Sequence, residues 1–180
     1  YKLPVLERSP FEDAFDEIEL LDFPVSVTPF NLLQTTYRGD VMAKDLTKYH
    51  KKTVRMLAYL ISRKHVPTKR GDMYFGTWID AEGEFFDTAH FADCLQKYPF
   101  KGGGCYLLLG QVEVDYHFPT ITISKMEKMP FIPDPRYSAT DEKRFQTQHQ
   151  IREDVSMTHR APYPQEHEIG LPRQRMTPQV

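Results

Sequence analysis

Between residues 51 and 70 the chain carries Lys51, Lys52, Arg55, Arg63, Lys64, Lys69 and Arg70, with no acid among them. Cations at that density can neutralise the phosphates of a nucleic-acid backbone. Tyr74, Phe75, Trp78, Phe85, Phe86 and Phe91 follow directly. Aromatic rings presented beside such a basic groove are platforms on which unpaired bases stack. About half of these rings must be core, and the bland alternative for the bases is the solvated outside of a small barrel.

Other chemistries are poorly supplied. His90, Cys94, Cys105 and His117 are separated by three, ten and eleven residues, and no pair has the close spacing of a zinc knuckle. Both cysteines border or sit in apolar segments and read as core thiols, so no metal is expected. Asp80, Glu82, Glu84 and Asp87 cluster around one turn, where acids usually serve the turn itself. No glycine-rich phosphate loop, nucleophile elbow or HExxH pattern is present. Gly102-Gly103-Gly104 precedes an apolar strand and not a helix, so it is no phosphate cradle. His149, His159 and His167 lie in a polar segment and read as solvated. No catalytic residue, metal or cofactor is expected, and the segment by itself is not read as an enzyme.

The whole chain has 180 residues and a net charge of -2, with 23 bases against 25 acids. That size fits one domain with appendages. Two cysteines exclude a disulfide-rich secreted scaffold and fit a reducing cytosol. No apolar run reaches the ~20 residues of a membrane span, and no secretory leader is visible. A cytoplasmic protein without membrane contact is expected. The first residue is Tyr1, so the chain is expected to be a piece of something longer.

Charge divides the chain into an acidic front, a basic middle and a balanced end. Residues 1–50 hold nine acids and five bases, residues 51–130 nine and eleven, and residues 131–180 seven of each. The front reads as a helical connector. Pro10 suits a first turn behind Ser9 as cap, and Phe11, Ala14, Phe15, Ile18 and Leu21 recur at helical steps. Pro24 and Pro29 end it, and Phe30, Leu32 and Leu33 open a second short turn. Such a connector needs a surface to lie on. The end, 131–180, carries prolines and few periodic apolar residues, and from Ser138 onward it reads as an extended, flexible tail.

The middle reads as mainly β. Strands are expected over Thr53–Val66, Met73–Asp80, Phe85–His90, Cys105–Val114 and Thr120–Glu127, with one short helix over Phe91–Tyr98. Turn residues lie at 68–72, 81–84 and 115–119. Three strands, a helix and a closing hairpin over this length describe the five-stranded Greek-key barrel called the OB-fold. An SH3-like barrel would not place its helix there. In an OB-fold the second and third strands and two flanking loops line the nucleic-acid groove. The candidate binding residues are Arg55, Arg63, Lys64, His65, Lys69, Arg70, Phe75 and Thr77. If Trp78 points inward, strand alternation sends Met73, Phe75, Thr77 and Ile79 to the binding face.

The run Thr53-Val-Arg-Met-Leu-Ala-Tyr-Leu60, then Thr68-Lys-Arg-Gly-Asp-Met-Tyr-Phe-Gly-Thr77, Asp80-Ala-Glu-Gly83 and Phe85-Phe-Asp-Thr-Ala-His-Phe91 resembles one family. It is similar to the C-terminal OB region of the bacterial DNA polymerase III alpha subunit. The segments Lys97–Gly104, Ser124–Pro130 and Asp134–Tyr137 look most like the versions in Bacteroidetes-type bacteria. Glu17–Ser26 and Pro29–Leu33 are similar to the connector that precedes that domain. The resemblance covers about residues 12–137. It implies a parent nucleotidyltransferase extending a primer on a DNA template, with its catalytic carboxylates far upstream. It also implies that the OB module guides single-stranded template, that Lys69, Arg70 and Gly71 form the family's basic loop, and that Phe75 is its exposed aromatic. The residues after Tyr137 have no counterpart in the resemblance.

The expected function is therefore single-stranded DNA binding in DNA replication, with the upstream polymerase body and clamp or clamp-loader subunits as further partners. One alternative is a replisome interaction module. Gln34-Thr-Thr-Tyr37 is a poor match to a clamp-binding pattern, so that alternative rests on the tail. Another is a free-standing OB protein binding single strands or tRNA.

Overall fold

The computed structural model describes residues 10–69 and 71–137. Ser9, Arg70 and the segment 138–180 lie outside the described residues. The helix α1 spans Pro10–Leu21, and short 3-10 helices follow at Pro29–Leu32 and Ala43–Tyr49. Then come β1 (Thr53–Thr68), β2 (Gly71–Asp80), β3 (Phe85–His90), α2 (Ala92–Lys97), β4 (Cys105–Asp115) and β5 (Phe118–Lys128). The strands close in the order β1-β2-β3-β5-β4, with β4 returning to β1. All pairings are antiparallel except β3 with β5. This is the mainly β, five-stranded OB barrel expected, with its short helix between β3 and β4.

Alternation along the strands fills the barrel. Val54, Met56 and Ala58 of β1 meet Trp78, Phe86, Tyr106, Leu108, Val112, Ile121, Ile123 and Met126 in one buried cluster. The turn Ala43–Tyr49 adds Ala43 and Leu46 to that cluster. The Ala43 amide donates to Asp80 Oδ2 at 2.8 Å. Asp80 is itself buried, and its other oxygen accepts the amides of Glu82 and Glu84 at 2.9 and 3.0 Å. Asp80 thus shapes the β2–β3 turn and anchors Ala43, with three of its ~four acceptor sites engaged.

The opposite faces of the same strands make a second apolar layer. Leu57 and Tyr59 point out of the barrel and pack with Cys105, Phe30 and Leu33, and Leu107, Met129 and Phe131 lie against them. The connector therefore lies on the outside of β1 and β4, sealed by the chain leaving β5. Leu33 bridges Phe131, and the Ile132 amide donates to Leu32 O at 2.6 Å. Arg136, held in place by its neighbour Asp134, ties this return to α1 by ion pairs with Asp16 and Glu19. Asp22, at φ 68, ends α1 in the left-handed conformation, which asparagine and aspartate tolerate better than most residues.

The strands run longer than their sequence signals. β1 continues through Pro67, which pairs with Asp72. Pairing of β1 with β4 stops at Tyr59, so Pro67 lies on an edge where its missing N–H is not required. β4 and β5 likewise extend until only Tyr116 and His117 remain between Asp115 and Phe118. Among the described residues no helix is long and apolar enough to cross a membrane.

Candidate nucleic-acid interface

A bulge in β1 decides which bases face together. The register slips between Leu60 and Ser62, leaving Ile61 unpaired. Before the bulge Arg55, Leu57 and Tyr59 point outward; beyond it Ser62, Lys64 and Val66 do. The second half of β1 pairs with β2, setting Lys64 opposite Phe75 and Ser62 opposite Thr77. β3 continues the rows, with Ala89 opposite Phe75 and Asp87 opposite Thr77. Cross-strand neighbours on one face stand ~5 Å apart, so Lys64 and Phe75 are in reach of one nucleotide.

Trp78 is fully buried and Phe75 is 42% exposed. Met73, Phe75 and Thr77 accordingly share the outward face. Ile79 also points outward, but it packs against the second apolar layer, so the open face ends before it. The Thr77 hydroxyl donates to Asp87 Oδ1 at 2.8 Å, which places a carboxylate beside this part of the face.

Gly76 has a packing reason. A Cβ there would stand 2.6 Å from Trp78 Nε1 and 2.9 Å from Thr88 Oγ1. Those two atoms are joined by a 2.7 Å hydrogen bond from the indole N–H. Thr88 Oγ1 in turn lies 2.7 Å from His90 Nε2. His90 is completely buried and its Nδ1 has no hydrogen-bond partner. Burial holds its pKa down, to about 4, so at neutral pH the ring is uncharged.

Arg63 and His65 lie on the other face of the β1–β2 hairpin. The Arg63 guanidinium sits 5.1 Å above the Phe100 ring, and Phe100 stacks on Trp78. The His65 ring is 4.9 Å from that of Tyr74, and its Nε2 is 2.9 Å from Asp72. Lys69 is exposed at the hairpin end. Arg70 is outside the described residues. Arg55 belongs elsewhere. Its guanidinium bonds Asp40 and the Tyr37 hydroxyl, on the side of the barrel covered by the connector. Arg55's bond, then Tyr37's, holds the Asp40 carboxyl below the usual carboxylate range. A shallow depression of about 370 Å³ lined by Asp40, Tyr49, Thr53 and Arg55 lies there, apart from Phe75. Lys51 is also committed, to Glu113. The described structure therefore brings together Lys64, Phe75 and Thr77, flanks them with Arg63, His65 and Lys69 on the same hairpin, and separates Arg55.

The two cysteines stand in different layers, Cys94 in the barrel cluster and Cys105 in the outer one. Burial raises both thiol pKa values, that of Cys105 to about 12. Among the described residues no group of three or more potential ligands could hold a metal ion. Of the rings offered as stacking platforms, Phe85 and Phe91 are exposed besides Phe75, and exposed rings that the sequence did not single out include Tyr116 and Phe118. The register gives a signal for the first: Phe86 pairs with Trp78 inside, so Phe85 must face out.

No family model matches the chain, and no curated protein matches it. Among solved structures it is similar to the second OB-fold domain of replication protein A from Methanococcus maripaludis, at 16% identity and a TM-score of 0.31. That likeness covers 46% of this chain and 86% of the other.

Proposed function

We propose that this chain binds single-stranded DNA through the Phe75 end of the outer β2–β3 face and the β1–β2 hairpin, as the OB module of a polymerase III alpha-type replicative polymerase. The observation that carries this reading is Phe75, a half-exposed ring on the open face with Lys64 across the strand from it. A ring of that kind stacks a base while the ammonium meets the adjoining phosphate. Lys69 and Arg63 extend the positive field along the hairpin. The module holds strand by charge and stacking and performs no chemistry itself; polymerisation belongs to the upstream body it serves, in the cytoplasm. Clamp or clamp-loader subunits are the further partners of such an assembly.

Fluorescence anisotropy of a labelled oligothymidine against salt tests this. Three to four phosphate contacts give a log-log slope of about -2 to -3, at ~0.7 per contact. Lys64→Ala reduces the slope by ~0.7, whereas Arg55→Ala, on the far side, leaves it unchanged. A salt-independent response, or no binding at low salt, removes the proposal.

A further inference from the structure

The barrel face changes character along its length. Asp87 pairs in parallel with Thr120. Because these strands run parallel, Phe85 and Phe118, each the first residue of its strand, lie at the same end of the barrel. These rings are 63% and 77% exposed, and Tyr116 in the adjoining turn is 95% exposed. Folding gains nothing from rings left in water, and a monomer rarely leaves several together without use.

The turn that carries them is strained. Tyr116 and His117 have φ of 50° and 72°, a two-residue hairpin geometry that favours Asn-Gly. Bulky residues kept in that conformation point to a functional demand on the side chains. The charges around the rings are negative. Glu84, Asp87 and Asp115 are exposed, and no ion pair engages them among the described residues. Two lysines joined to this end of the barrel by ion pairs are already neutralised, Lys44 by Glu82 of the β2–β3 turn and Lys51 by Glu113 of β4. Phosphates are repelled here, and cations are attracted.

We propose that the end of the barrel formed by Phe85, Phe118 and Tyr116 docks a basic peptide segment of a partner protein, whose apolar side chains cover the rings while its lysines or arginines meet Glu84, Asp87 and Asp115. Large aromatics at the centre with charges at the rim are the usual anatomy of such a contact. This docking is independent of whether the Phe75 end holds DNA.

The test uses the full chain and a short labelled peptide alternating lysine with leucine and phenylalanine, against a matched peptide with glutamate for lysine. The lysine peptide binds and the glutamate peptide does not. Phe85→Ser with Phe118→Ser weakens binding about tenfold or more, a hot-spot loss. Tyr116→Asn with His117→Gly, which supplies residues the turn prefers, weakens it while the fold is kept. Phe75→Ala leaves it unchanged. Equal binding of both peptides, or unchanged affinity in both double variants, overturns the proposal. So does an oligothymidine affinity that falls with Phe85→Ser and Phe118→Ser, which would assign the rings to nucleic acid. A photo-reactive benzoylphenylalanine at position 118 reports the occupant. Cross-linking to the lysine peptide supports the docking site, whereas cross-linking to residues 138–180 or to a second copy overturns it.

Discussion

Phe75 and Trp78 are three residues apart on one strand and do opposite work. Phe75→Ala should weaken single-strand binding by ~1–3 kcal/mol, the cost of a lost base platform, and leave the thermal melt nearly unchanged. Trp78→Ala should cost ~3–5 kcal/mol of stability, as a buried aromatic does. Exchanged phenotypes would mean the faces are inverted. His90 makes a third residue-scale test. Its folded pKa, about 4, lies below the ordinary histidine value of 6.5. Above pH 6.5 both folded and unfolded states hold it neutral, and its contribution is fully present. As pH falls from there toward 4, the unfolded chain takes up a proton that the folded one refuses, and stability declines. The loss is at most about 3 kcal/mol. Urea midpoints at pH 7 and 4.5 should show it, and His90→Leu should flatten the dependence; an equally steep dependence in the variant would acquit His90. That Trp78 and Phe75 face opposite ways was legible from strand alternation; which of them points inward was not, and the structure buries Trp78. The hydroxyl relay from Trp78 through Thr88 to His90 was not legible either, because it needs the β2–β3 register.

At the scale of elements, the strand order was legible because each strand carries β-formers between clear turn residues. The bulge at Ile61 was not, since nothing marks Ile61 itself, and it matters most for the interface. Plain alternation from Arg55 would put Arg63 outward and Lys64 inward; the extra residue reverses both. Arg55 was misjudged for another reason. No acid lies near it in sequence, but Asp40 arrives from the connector, whose docking leaves only aperiodic apolar residues as a trace. The β4–β5 turn was legible at 115–119, but its tightening to Tyr116 and His117 alone was not, since Tyr-His gives no hairpin signal. Relief of its left-handed strain is measurable. Tyr116→Asn with His117→Gly should raise stability by about 1 kcal/mol, read as a higher denaturant midpoint with an unchanged slope. A lower midpoint would show that the two side chains hold the turn.

For the whole molecule, apolar packing crosses the boundaries that composition suggests between the barrel and its covering. Phe30 and Leu33 come from the connector and Phe131 from beyond β5, yet all three cover Leu57, Tyr59 and Cys105. Each large side chain so buried is worth ~1.5–3 kcal/mol, against a total stability of ~5–15 kcal/mol for a domain. Residues 51–130 expressed alone should therefore be aggregated or molten, judged by near-ultraviolet dichroism and dye binding. A fragment of residues 10–137 should melt cooperatively. A well-folded 51–130 fragment would show the covering to be dispensable.

Arg136 reaches back to Asp16, and Leu33 bridges Phe131. The strand of chain going in and the strand coming out therefore run side by side on one flank of the barrel. Tension transmitted along the polypeptide meets these two contacts before it meets any barrel ladder. They are pulled apart one after another, as a zip is, and the closed sheet stays slack until they have gone. A molecule tethered through residues 10 and 137 should thus have a mechanical fuse, shedding its connector first while the face bearing Phe75 and Lys64 is still folded; single-molecule extension traces would show a small early step before barrel unfolding.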